Sequence, residues 1–235
     1  METLDDAATA ARSIYDGLWR DAESALSRGE HDVDPALTEE NDPRRGLSLV
    51  FRPDAALARR LEGFSERLRG IAPEQHFHAP AEMHVTAMSM IGCRADFALD
   101  RVEPERYVAL LARCLERLPA FDVVFDGITA SRSCVMAQGF PVDDTLGRLR
   151  AALRAGFAAS PLYSDVEPRY ASRTAHVTLV RLARPLARPD VFLGALREAR
   201  GEPFGRLRVR SAHLVYNDWF HRTELTRELH RFALR

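Results

Sequence analysis

The chain has 235 residues, 46% hydrophobic and 29% charged, with a net charge of −1 at pH 7. That length buries a substantial core, no apolar run approaches the roughly 20 residues of a membrane helix, and the charge balance argues against a protein that coats long nucleic acid. All 33 basic residues are arginine, which excludes a Schiff base, a lysyl-nucleotidyl intermediate and a P-loop lysine.

Residues 1–43 read as a helical extension and connector, and 44–235 as the main domain. Ala8, Ala11, Ile14, Tyr15, Leu18 and Trp19, then Ala22, Ala25 and Leu26, recur at helical spacing, and Gly29 is a natural stop. The stretch 32–43 is acidic and bounded by proline, as connectors are. The extension is expected to pack on the main domain or to serve as a partner surface. The first residues lack the basic and apolar regions of a signal peptide. Cys93, Cys114 and Cys134, odd in number, suggest neither a disulfide framework nor a zinc site. A cytoplasmic protein is the expectation.

In the main domain, 46–52 alternates as a strand and stops at Pro53. Asp54 is an N-cap for a helix carrying Leu57, Leu61, Phe64 and Leu68 and ending at Gly70. A short strand is predicted at 75–78, and a longer apolar one at 83–91, interrupted by His84 and Thr86. An amphipathic helix over 104–118 ends at Pro119. Strands at 121–128 and 133–137 follow, then a helix with Leu146, Leu149, Leu153 and Phe157, and a loop over 160–173. A second interrupted strand occupies 175–182. A helix near 191–200 and one long strand over 204–216 come next, while the tail 219–234 fits helix and strand equally. This order describes an α+β domain with two pseudo-equivalent lobes.

The two interrupted strands repeat one phrase, Met83-His84-Val85-Thr86 and Ala175-His176-Val177-Thr178, at a spacing of 176 − 84 = 92 residues. Residues two apart on a strand share a face, so each copy sets an imidazole beside a hydroxyl. A single copy carries no signal, but a repeat inside two buried strands does. Two histidines across a cleft supply an acid and a base near neutral pH. Each threonine can donate to a phosphoryl oxygen. That set suits in-line attack at a phosphodiester without a metal. His76 and His78 also share a strand face, yet no carboxylate or thiol spacing completes a metal site around them. They read as cleft-edge or surface residues, and neither metal nor cofactor is expected. Tyr163 and Tyr170 either stack on a base or anchor their loop.

The repeated His-Val-Thr strands and the order of elements around them resemble the two-histidine phosphoesterase superfamily, and within it the LigT-like 2′-5′ RNA ligases and 2′,3′-cyclic phosphodiesterases, over about 44–234. The strand ending at Pro53, the Ala81-Glu82-Met83-His84 approach and the Phe121-x-Val123-x-Phe125-x-Gly127 strand fit the same pattern. The resemblance implies a bilobal α+β fold, two pseudo-symmetric sheet lobes with outer helices around a central cleft. It implies catalytic His84 and His176, phosphate-binding Thr86 and Thr178, and hydrolysis of a 2′,3′-cyclic phosphate on a nucleotide or RNA end. Joining of RNA ends, and a non-catalytic module that only binds them, stay open as alternatives. The family's second motif often continues to an arginine three residues beyond its threonine, here Arg181. Strand parity aims Arg181 away from His176, so a phosphate-binding role requires the strand to end or bulge near Val180. Where the family commonly has an aromatic residue after the first motif, this chain has Met88 and Met90. Tyr170 is the base-stacking candidate. The partner is a small phosphorylated ligand, with no membrane and no long duplex, and the oligomeric state is left open.

Overall fold

The helical periodicity at the start becomes α1 (Leu4–Ser27). It closes at Gly29, whose φ is 69°; Gly29 N–H bonds to Leu26 O and Glu30 N–H to Ala25 O, the paired bonds of a glycine-ended helix. In the computed structural model, which describes residues 4–39, 42–165 and 174–235, β1 (Arg45–Phe51) follows. Asp54 then starts α2 (Ala55–Ile71) by accepting from Leu57 N–H at 2.8 Å. Next come β2 (His76–Phe77), β3 (Val85–Arg94), α3 (Pro104–Leu115), β4 (Phe121–Ala130), β5 (Cys134–Pro141) and α4 (Thr145–Ala158). The chain ends with β6 (Val177–Arg181), α5 (Pro189–Glu198), β7 (Pro203–Val209), β8 (Ser211–Asp218) and β9 (Arg227–Ala233).

Two antiparallel sheets result, one ordered β3-β1-β8-β9 and the other β2-β6-β5-β4-β7. The fold is α+β, with one repeated strand in each sheet. Helices α3 and α4 pack on β9 and β3, while α1 and α2 cover β4 to β7 and α5 packs against both. The largest apolar cluster runs through both sheets, where Phe51 meets Phe121 edge-on with ring centres 5.4 Å apart. Among the described residues no helix is long and apolar enough to cross a membrane.

The long strand expected at 204–216 is two strands in different sheets, with only Arg210 between them. The burial pattern gives the reason. Residues 203–209 alternate between covered and exposed, whereas Ala212 to Val215 are buried on both faces, so the chain passes from a half-exposed strand into a central one. The ambiguous tail becomes β9, paired to β8.

α1 is fastened by Tyr15, which is fully buried. Its hydroxyl donates to Gly139 O at 3.1 Å and accepts from the N–H groups of Gly139 and Ala175 at 3.2 and 3.3 Å. Only glycine fits at 139, because a Cβ there would stand 2.0 Å from Ala175 O. That close approach fixes the backbone one residue before His176.

Candidate active site

Both motif histidines sit one residue ahead of their ladders, since β3 begins at Val85 and β6 at Val177. Just beyond each threonine the pairing slips by one residue. Val50 faces Thr86 but Leu49 faces Met88, which leaves Ala87 extra. Likewise Met136 faces Thr178 but Val135 faces Val180, which leaves Leu179 extra. Each motif thus ends in a bulge. The carbonyl of Ala87 accepts from Arg150 Nε at 3.0 Å, and that of Leu179 from His78 N–H at 2.9 Å.

The second bulge decides where Arg181 points. Arg181 pairs with Cys134 and Thr178 with Met136, and Cys134 and Met136 share a face of β5. Arg181 therefore lies on the same face as Thr178, the condition that strand parity alone did not meet. By the same logic Ser89 shares a face with Thr86, but its hydroxyl is bonded to Ser48 Oγ at 2.9 Å.

His84 Nδ1 lies 2.7 Å from Glu82 O. A carbonyl only accepts, so Nδ1 carries the hydrogen and Nε2 keeps its lone pair. His176 Nδ1 lies 3.0 Å from Thr174 Oγ1. His84 stacks on His221, with ring centres 3.8 Å apart and planes at 29°. His221 is the one non-glycine residue at positive φ (56°) among the described residues, the kind of backbone strain that gathers at working sites. Burial, against the pull of the Glu82 carbonyl, pushes His84 down to about 3, with His78, Arg52 and His176 adding to the effect. Burial, then Arg181 and Arg150, pushes His176 down to about 4. Burial and His84 hold His221 well below the usual imidazole value. Both motif imidazoles are therefore neutral at pH 7 in the free protein. The hydroxyls of Thr86 and Thr178 are half-buried and have no hydrogen bond within the protein among the described residues. Arg181 Nε is likewise buried without a partner.

Several residues the sequence did not single out complete the surroundings. Arg150, 5% exposed, donates through Nη2 to Thr86 O at 2.8 Å and to Thr174 O at 2.9 Å, besides its bond to Ala87. One guanidinium thus ties the first motif's bulge to the approach of the second. Its signal was available: Arg150 interrupts the apolar stripe Leu146, Leu149, Leu153, Phe157 of α4. Arg52 and His221, with Ala81, Thr223 and Thr226, line a depression of about 260 Å³ beside His84.

The expectation for His76 and His78 needs correction. His78 is buried, not at a cleft edge or surface, and Glu82 brings a carboxylate to the pair, with ligand atoms of all three residues within 4.8 Å of one another. Spacing missed it because the turn in which Glu82 N–H and its carboxylate both bond to Ala79 folds the chain back on itself. Tyr163 anchors its loop, its carbonyl accepting from Tyr107 Oη at 2.7 Å and its hydroxyl from Arg94. Tyr170 lies outside the described residues.

The family model of the 2′-5′ RNA ligase superfamily matches residues 53–218. No curated protein matches the chain in sequence. Among solved structures, TT0787 of Thermus thermophilus is similar at 19% identity and a TM-score of 0.56, over 82% of this chain and 98% of that one. The E. coli LigT complex with 3′-AMP is similar at 20% identity and a TM-score of 0.54, over 81% and 98%. A structure described as a phosphoesterase is similar at 20% identity and 0.53, over 81% and 98%. At these identities the likeness speaks for the fold.

Proposed function

The chain belongs to the 2′-5′ RNA ligase superfamily, the two-histidine phosphoesterases, and we propose that it hydrolyses a 2′,3′-cyclic phosphate, on a nucleotide or an RNA end, with His84 as base and His176 as acid. The observation that carries this reading is the doubled element: each histidine precedes a strand whose threonine hydroxyl is unclaimed, and a bulge turns Arg181 to the face of Thr178.

The base assignment follows from the tautomer. His84 gives its Nδ1 hydrogen to Glu82 O and keeps Nε2 free to accept. A water attacking phosphorus gives its proton to that nitrogen as the new P–O bond forms. The bond to one ribose oxygen breaks, and that oxygen takes its proton from His176. The product is a 2′- or 3′-phosphomonoester, the class to which the 3′-AMP held by the similar LigT belongs. Thr86 and Thr178 donate to the non-bridging oxygens, and Arg181 balances their charge. No step in this scheme draws on a metal. The net charge of −1 suits a small anionic substrate better than a long duplex.

The test offers purified protein 2′,3′-cyclic mononucleotides, an RNA oligomer ending in a cyclic phosphate, and ADP-ribose cyclic phosphate, and follows monoester release by phosphorus NMR. At least one should turn over. His84→Ala and His176→Ala should each slow it by about 10²–10⁴, and the double variant should be little worse than either, because the pair acts as a unit. Absence of turnover on all three probes, or near wild-type kcat in a folded single variant, refutes the reading.

A further inference from the structure

His213 shows what a satisfied buried histidine looks like in this protein. It is 7% exposed, its Nε2 lies 3.0 Å from Ser211 Oγ, and its Nδ1 lies 2.7 Å from a carboxylate oxygen of Glu228. His78 is buried more deeply, at 4%, and neither of its ring nitrogens has a hydrogen-bond partner among the described residues. His76 Nε2 beside it is also buried and unpartnered, and the two rings meet edge-on with centres 5.1 Å apart. Leaving such groups unmatched in an interior is costly. The carboxylate oxygen Glu82 Oε2 stands 3.7 Å from His78 Nδ1, beyond hydrogen-bond reach.

We propose that His76, His78 and Glu82 form a binding site for one divalent transition-metal ion, zinc by preference. Two imidazoles and one carboxylate, with a water completing the set, are a familiar zinc environment, and bonds of about 2.1 Å place tetrahedral ligand atoms about 3.4 Å apart. The three ligand atoms here lie within 4.8 Å of one another, so closing on an ion takes small side-chain rotations. The carboxylate is already held in a ligating orientation, since Oε2 accepts from Ala79 N–H at 2.9 Å and Oε1 from Thr223 N–H at 3.1 Å. Such outer bonds are what hold a ligating carboxylate in place. Charge around the cluster is mixed: Glu82 offsets part of the ion's own charge and Asp218 offsets Arg222 at 3.3 Å, whereas Arg181, opposite His76 in the β2–β6 ladder, adds positive charge that the ion must be bound against.

The position gives the ion its role. His76 and His78 belong to the β2 edge of the five-stranded sheet, whereas Glu82 leads into β3 of the other sheet. Glu82 also offers the carbonyl that orients His84. A bound ion therefore ties the edge of the five-stranded sheet to the turn that leads into β3 of the other sheet. It is a structural tie and takes no part in the bond-breaking step.

The experiment uses the full chain without a histidine tag, stripped with chelator and titrated with Co²⁺ and Zn²⁺. Wild-type protein should bind one equivalent, the Co²⁺ form should absorb in the visible as a tetrahedral site does, and a hundredfold excess of Zn²⁺ over its Kd should raise Tm by about 5–10 °C. His76→Gln and His78→Gln should each weaken binding at least tenfold and abolish the Tm rise, while His213→Gln leaves Zn²⁺ affinity unchanged. Absence of saturable binding to wild type overturns the proposal, and so does equal affinity in wild type and either cluster variant. A Zn²⁺ effect that disappears with His213→Gln and persists in the cluster variants assigns the ion to the other site and overturns it too.

Discussion

β3 and β6 are each entered through the same three residues, His-Val-Thr, and carry the same bulge, yet β3 is the outermost strand of its sheet whereas β6 has β2 on its far side. The extra carbonyl at Ala87 is therefore held by a side chain reaching in from α4, and that at Leu179 by the backbone of His78. Three residues past the threonine, the first half has Ser89 tied to Ser48, and the second has Arg181 with Nε unclaimed. The first histidine stacks on another imidazole, and the second feels the positive charge of Arg181 and Arg150. The local phrase thus sets an imidazole and a hydroxyl in each half, and the neighbours decide which half carries the charge. Symmetric motifs need not make symmetric catalysts.

The largest expected effect comes from breaking the tie between the halves. Arg150→Met keeps the length of the side chain but takes the charged donor away from the carbonyls of Thr86, Ala87 and Thr174 and leaves that of the bulged Ala87 buried. An unsatisfied buried polar group costs about 1–3 kcal/mol; with some relaxation, the loss should be roughly 3 kcal/mol, or about 6–12 °C in Tm for a chain of this size. At a temperature where the variant is still folded, kcat should fall by about a hundredfold, as expected when reacting groups shift by about an ångström. A variant that melts within about 2 °C of wild type would mean the two motifs hold their spacing without the guanidinium.

The threonines test whether the halves are equivalent at the phosphate. Thr→Val keeps the branched shape that suits a strand and removes only the donor. A hydroxyl bonded to a charged oxygen contributes about 1.5–3 kcal/mol, so Thr86→Val and Thr178→Val should each lower kcat/KM by roughly ten- to a hundredfold with Tm unchanged. The sharper result lies in the combinations. Thr178→Val and Arg181→Met should be coupled, since both side chains share a face and, in the proposed mechanism, one phosphoryl group. Thr86→Val and Ser89→Ala should simply add, because Ser89 already has its partner. Coupling of equal size on both sides would erase the distinction drawn above.

The sequence made the two lobes and their paired residues legible because period-two alternation and an exact repeat are local signals. What escaped it depends on register. The bulge that turns Arg181 exists only where β5 and β6 pair, and no residue type at 179 announces it. The division of 204–216 between two sheets was visible only as a change from alternating to continuous burial. Arg150 announced itself as a charge on an apolar stripe, a signal that reads equally well as a solvated helix edge. Glu82 joins two histidines only through a turn, so metal-ligand spacing along the chain could not reveal it.

The smallest effect is a displacement of pH profiles, and it bears on the half with the arginines. His176 is faced by Arg181 from its own strand, by Arg150 from α4 and by Thr174 through Nδ1, with His84 across the cleft. Burial and the two cations hold it at about 4 instead of the usual 6.5, so in the free protein it gains its proton only as pH falls through about 4. An acid must hold that proton to work. A phosphoryl group bound beside Arg181 supplies negative charge that favours the imidazolium and raises its pKa in the complex. The alkaline limb of kcat/KM reports the free protein and that of kcat reports the complex. The limb of kcat/KM should therefore lie at least about one unit more acidic than that of kcat. Arg181→Met, though slower overall, should move the kcat/KM limb towards neutrality by removing one of the two cations, while the corresponding change on the other side, Ser89→Ala, should leave it in place. Superimposable profiles in wild-type protein would show that the substrate's charge does not reach His176, and its assignment as the acid would fall.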